Sequence, residues 1–345
     1  MASQLKRLAG FVLAASVAAC GSNASKGSLF SASSGGSNDG FAFGGTGGTT
    51  SLGNGGAPAQ SGGTTAEDTG GTPGIFITTP QGNDTCGGQA ITVLFLIDRS
   101  GSMNCNLPPI TASADCENMS PPAKVDMTAP SKWEVISSTI SASLAQFVPT
   151  DPSIKVKVGL AYFSIDGVCG ANSTPAVPVA DADDAQFDLI RNSVAAQKPN
   201  GGTPIVGATI LGYQYLYRAL DVTSNAHIIL ITDGQDSCAD YYASNPAIGP
   251  GDHVADLIMN QAPKALSVGI KTWVIGAPGS EPARSMLSNL AVSGGTRRSA
   301  DCTPGTDAAP TVGDCHYDMT TGDFQAALTM ALTHIMAVVT CEAPS

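Results

Sequence analysis

Two runs, Ile91 to Ile97 (ITVLFLI) and His227 to Thr232 (HIILIT), are apolar at nearly every position, and an aspartate follows each directly: Asp98 and Asp233. A strand with one wet face alternates apolar and polar residues. A run that does not alternate must be covered on both faces, as strands are in a parallel sheet between layers of helices. Val156 to Phe163 (VKVGLAYF) and Ile270 to Ile275 read as further strands, with Pro175 to Ala180 a short antiparallel partner and 315–319 a short strand. Helical patterns fill the intervals, at 132–147 (Ile136, Ile140, Leu144 and Phe147), 183–196, 204–220, 252–261, 281–292 and 324–339. This alternation predicts a doubly wound α/β fold with a mostly parallel sheet and helices on both faces.

In such a sheet, ligands bind in the crevice beyond the carboxyl ends of the strands. Asp98 opens the run Asp98-Arg99-Ser100-Gly101-Ser102, and Asp233 is followed by Gly234. Carboxylates and hydroxyls delivered together to that crevice are hard oxygen donors, which suit a divalent cation.

The amino-terminal end reads as an export signal. Lys6 and Arg7 precede an apolar stretch, Leu8 to Ala19, whose twelve residues fall short of the roughly 20 that span a bilayer. Val17-Ala18-Ala19-Cys20 resembles a bacterial lipobox, which implies cleavage before Cys20 (residues 1–19 removed), lipidation of Cys20, and an anchor in the outer membrane or at the cell surface. An ordinary signal peptide cleaved near Ala19 is the alternative. Residues 20–75 are Gly, Ser, Thr, Asn and Ala with few large apolar groups, so they predict a flexible tether of roughly 40 Å r.m.s. reach. Residues 76–345 remain for one domain.

The chain has nine cysteines. Setting Cys20 aside leaves an even set: Cys86, Cys105, Cys116, Cys169, Cys238, Cys302, Cys315 and Cys341. In an exported chain this predicts a disulfide-stapled domain. Cys105–Cys116 and Cys302–Cys315 are the expected local pairs, Cys86–Cys341 a tie between the domain's ends, and Cys169–Cys238 the remainder. The formal charge is −12, or −14 once Lys6 and Arg7 leave with the signal. No basic patch is present, which argues against nucleic-acid binding. A Cys-containing insertion, 103–131, leaves from the carboxyl end of the first strand, and a loop that long is commonly functional or disordered.

Asp98-x-Ser100-x-Ser102, Thr203 after Gly201-Gly202, and Asp233-Gly234 together resemble the von Willebrand factor A domain, in order and in fold context. The resemblance covers about residues 90–340. It implies a metal-ion-dependent adhesion site in which Ser100, Ser102 and Thr203 coordinate Mg²⁺ (or Mn²⁺ or Ca²⁺), while Asp98 and Asp233 act mainly through bound water. The ion's open position would then take a Glu or Asp carboxylate from a partner protein. The implied function is a tethered, cation-dependent protein-binding module rather than an enzyme.

Blander readings exist for each residue. Thr203 before Pro204 also fits a helix N-cap, and Ser100, Gly101, Ser102 and Asp233-Gly234 also fit turns. Asp181, Asp183, Asp184 and Asp188 read as a solvated helix start, and Asp236 and Asp240 as a solvated loop. Arg99 faces either solvent or an incoming acidic ligand. Two other functions stand beside the main one. A metal-assisted hydrolase would need a second acid where Ser100 stands; a purely structural surface module would carry a non-functional metal site.

Overall fold

A computed structural model describes residues 90–109, 115–116, 119–165, 168–219, 225–244 and 252–340. The signal segment, Cys20, the tether and the Cys86–Cys341 pairing lie outside the described residues.

The strands are β1 (Ala90–Asp98), β2 (Lys155–Phe163), β3 (Val177–Asp181), β4 (Asn225–Thr232), β5 (Ile270–Gly276) and β6 (Tyr317–Asp318), in spatial order β3-β2-β1-β4-β5-β6. Every neighbouring pair is parallel except β2 with β3. From β1 the chain builds outward on one side through β2 and β3, then crosses to β4 on the other. The carboxyl ends of β1 and β4 therefore flank the point where the winding reverses, and there a doubly wound sheet opens a crevice.

The helices are α1 (Lys132–Ser143), α2 (Asp184–Ala196), α3 (Ile205–Ala219), α4 (Ala239–Ser244), α5 (His253–Asp256), α6 (Ala262–Ser267), α7 (Arg284–Ser293) and α8 (Phe324–Thr340). Val93, Phe95 and Ile97 of β1 face one side, in a single buried cluster with Ile136 and Ile140 of α1, Ile190 of α2 and Leu332 of α8. Leu94 and Leu96 alternate to the other side, under α3. Burying each such side chain is worth about 1.5–3 kcal/mol. Coverage on both faces is what the unbroken apolar runs require.

Local chemistry sets the ends. Ser131 caps α1 by accepting from Glu134 N, while the Glu134 carboxylate accepts from Ser131 N, a reciprocal capping box. Asp183 caps α2 through Gln186 N. The helix expected at 252–261 runs on to Ser267. Leu257–Gln261 winds as a π turn, so Pro263 enters in the first turn of α6, where its missing N–H needs no partner. Helix α4 is an element that the apolar pattern did not signal, and β6 has two residues rather than five.

Three disulfides form as expected: Cys105–Cys116, Cys169–Cys238 and Cys302–Cys315. In the long insertion, Asn106 acts as the organising residue. Its amide nitrogen donates to the carbonyls of Asp126 and Ala129 at 2.9 and 3.1 Å, and its amide oxygen accepts from Val125 N and Asp126 N at 2.9 Å. Among the described residues no helix is long and apolar enough to cross a membrane.

Candidate metal centre

β1 ends on Asp98, which is fully buried, and Asp233 follows β4 directly. Asp98 Oδ1 accepts from Ser100 N at 2.7 Å, turning the chain sharply after the strand, and Oδ2 accepts from the Thr232 hydroxyl at 2.7 Å. The turn carries Ser100 and Ser102 to the same side. Their hydroxyl oxygens lie 3.0 Å apart, and Ser102 Oγ donates to Asp233 Oδ1 at 2.8 Å. Asp98, Ser100, Ser102 and Asp233 thus form one connected polar cluster at the crevice. Ser100 and Asp233 are buried, whereas Ser102 is partly open to solvent and forms the mouth.

Thr203 follows a loop, tied to the turn after β1, that is held from several directions. Gly101 N donates to Gly201 O at 2.9 Å, Asn200 N to Arg99 O at 2.8 Å, and Ser164 Oγ to Asn200 O at 2.6 Å. Ser164 holds a positive φ of 66°, a conformation that non-glycine residues seldom adopt away from constrained sites. On the far side, Thr203 N donates to Ser237 Oγ and Ser237 N donates to Thr203 O. The loops crowd closely: a Cβ on Gly202 would lie 3.1 Å from Ser237 Oγ and 3.3 Å from Cys238 Sγ. The Cys169–Cys238 disulfide locks this packing in place.

The N-cap role open to Thr203 is filled by another residue. Asp236 Oδ2 accepts from Val206 N at 2.9 Å, and the Tyr242 hydroxyl accepts from Gly207 N at 3.1 Å. Asp236 is therefore a partly buried cap rather than a solvated loop residue, and burial raises its carboxyl above the usual range. Its distance in sequence hid it, because a cap is sought next to its helix and this one comes from the loop after β4. The cap is thus taken by Asp236, which leaves the Thr203 hydroxyl free of that role.

Sequence reasoning also passed over Lys132. Its ammonium lies 2.6 Å from Asp233 Oδ2, with both side chains buried. One signal was present. A cation in the first turn of a helix opposes the helix dipole, so it needs a partner elsewhere. Arg99, in contrast, turns away from the cluster: Nη1 donates to Gln197 Oε1 at 2.8 Å and Nη2 to Ile165 O at 3.3 Å. It lines a groove of about 1000 Å³ whose other walls include Lys124, Met127 and Trp133. Part of the 103–131 insertion thus walls that groove.

The electrostatics of the cluster would suit a cation. Burial, and then the neighbouring Asp233 carboxylate, push Asp98 up to about 7. Two carboxylates packed this close resist joint ionisation, and a divalent cation relieves that resistance. The spacing also fits. The Ser100–Ser102 and Ser102–Asp233 oxygens are 3.0 and 2.8 Å apart, hydrogen-bond separations that are also compatible with the roughly 2.9 Å between adjacent corners of an octahedron with metal–oxygen distances of about 2.0–2.1 Å. Cys302, Asp314 and Cys315 also group closely, but both thiols are consumed in a disulfide. The buried His227 and His316 bond Trp273 and Ser288, and among the described residues neither joins a group of metal-ligand side chains.

No family model matches the sequence, and no curated protein matches it. Solved structures do resemble it. They include the PilB minor pilin from Streptococcus sanguinis, at 16% identity and TM-score 0.45, covering 74% of this chain and 62% of that one. The pilus adhesin SpaC from Lactobacillus rhamnosus GG matches at 14% identity and TM-score 0.47, covering 73% and 31%. A von Willebrand factor type A structure from Catenulispora acidiphila matches at 15% identity and TM-score 0.41, covering 73% and 43%. The chain thus spans less than two thirds of each of these relatives. A structure bearing the von Willebrand factor A name is among those that match, and at these values the likeness says nothing of what this chain does.

Proposed function

We propose that this chain is an exported, lipid-anchored protein-interaction module that captures an acidic side chain of a partner through a divalent cation. The observation that supports it most is the cluster at the winding reversal, where the Ser100 and Ser102 hydroxyls and the Asp233 carboxylate converge with buried Asp98 behind them. Ser100, Ser102 and Thr203 would hold the ion, and their neutral hydroxyls leave its charge largely uncancelled. Asp98 orients the turn through Ser100 N and Thr232, leaving it to act from behind the ligands. When bound, the ion supplies an electrophilic position for a carboxylate oxygen. Ser102, at the open mouth, is where that carboxylate would enter.

The groove beside the cluster suits the rest of such a partner. Arg99 Nε is buried there with no hydrogen-bond partner among the described residues. Calorimetric titration of Mg²⁺ and Mn²⁺ into the full-length chain and its Asp98→Ala and Ser102→Ala variants tests the reading. We expect binding to the native chain, at least tenfold weaker binding to Ser102→Ala, and none to Asp98→Ala. Absence of binding to the native chain would refute the proposal.

A further inference from the structure

Lys132 opens α1, and its side chain is only 2% exposed. Its Nζ lies 2.6 Å from Asp233 Oδ2, while Asp233 Oδ1 accepts from Ser102 at 2.8 Å. The two oxygens of one carboxylate are thereby divided between a fixed cation and the ligand hydroxyls. The loop after β5 presses on the same ammonium. Gly279 has a φ of +107°, and a Cβ there would lie 3.0 Å from Lys132 Nζ and 3.0 Å from the Asp233 carbonyl oxygen. Nothing larger than glycine fits without displacing the pair.

A buried lysine at a helix start is an expensive arrangement. The dipole opposes it, and taking an ammonium out of water is costly before any pairing. A buried ion pair gives little net stability in return. Its place inside the ligand cluster points to a role in the site itself.

We propose that Lys132 is a positioning residue, a resident counter-charge that sets how tightly the site holds its cation. This rests on the metal reading above. With Asp98 and Asp233 both ionised, the cluster with Lys132 carries a formal −1, and a divalent ion brings it to +1. Without Lys132 the same ion would be neutralised. Lys132 therefore does three things. It balances Asp233 when no ion is bound, it keeps Oδ2 from the ion, and it leaves the loaded site positive toward an incoming carboxylate.

The test is Mn²⁺ binding by calorimetry, with thermal unfolding in chelator and in Mn²⁺, on the full-length chain and on Lys132→Met and Lys132→Arg. We expect Lys132→Met to bind Mn²⁺ at least tenfold more tightly than the native chain, and to unfold at lower temperature in chelator with the loss recovered in Mn²⁺. Lys132→Arg, which keeps the charge, should stay within about threefold of native affinity. A Lys132→Met variant that folds only with Mn²⁺ present gives the same result in stronger form. Equal affinity in Lys132→Met and native chain would overturn this inference and leave the metal site standing. No Mn²⁺ binding by either would overturn the metal reading and this inference with it. Failure of both Lys132→Met and Lys132→Gln to fold even in Mn²⁺ would show the lysine to be structural and overturn the inference.

Discussion

The hydroxyl of Thr232 donates to Asp98 Oδ2 at 2.7 Å, tying the last residue of β4 to the last residue of β1. The two strands pair in parallel with Ile97 opposite Ile231, so this bond continues the ladder into the side chains of the next position. A slip of one residue would turn one strand's side chains to the opposite faces and pull the cluster apart. Strand register and site geometry are thus set by the same contact.

Asp98 gives the first prediction. Its carboxyl is raised to about 7 in the folded chain by burial and Asp233, against an ordinary value near 3.8. In that window the folded state keeps a proton that the unfolded state has lost, so this group's stabilising contribution falls as pH rises from about 4 and is gone above about 7. Denaturant unfolding in chelator should show that downward slope in the native chain and not in Asp98→Asn. Saturating Mg²⁺ should flatten it.

His227 acts in the opposite direction. Trp273 Nε1 donates to His227 Nδ1 at 3.1 Å, so that nitrogen must stay bare, and burial, then Lys271 beside it, hold the imidazole down to about 3. Below about 6.5 the unfolded chain gains a proton that the folded one refuses, so stability is lost as pH falls from 6.5 toward 3. His227→Phe should be less stable at pH 7, where the indole loses its acceptor, yet show a shallower loss between pH 6.5 and 4.5.

Asn106→Ala should be costly for a surface insertion. Its amide satisfies at least four backbone groups of residues 125–129, and each polar group left buried and unpaired costs about 1–3 kcal/mol. We expect a loss of about 2–4 kcal/mol in denaturant unfolding, with new proteolytic cleavage between 119 and 130.

The Cys169–Cys238 disulfide binds the loop after β2 to the loop after Asp233. A Cys169→Ala/Cys238→Ala variant should lose about 2–5 kcal/mol of stability. It should also bind Mn²⁺ more weakly, because the Thr203 loop packed against Cys238 is freed. Native Mn²⁺ affinity in that variant would show that the loop holds its place unaided.

Much of the architecture was legible in the chain because its strongest signals are local. Runs such as Ile91 to Ile97 suit a strand buried on both faces, and the candidate donors fall within five residues of strand ends or helix starts. What escaped depends on contacts between distant segments. The cap of α3 arrives from Asp236, 30 residues past Val206, and the partner of Asp233 from Lys132, 101 residues away. The π turn that carries the chain past Pro263 exploits a geometry that the ordinary 3.6-residue pattern excludes.

The chain enters the sheet at Ala90 and meets the site at Asp98, the opposite ends of one central strand some 30 Å long. If a captured partner is pulled away while the preceding segment is anchored, tension runs along β1 through covalent bonds rather than by sliding one strand past another. The neighbours β2 and β4 then serve as braces on a loaded cable. On the reading proposed above, the load would reach the cation site along that one strand.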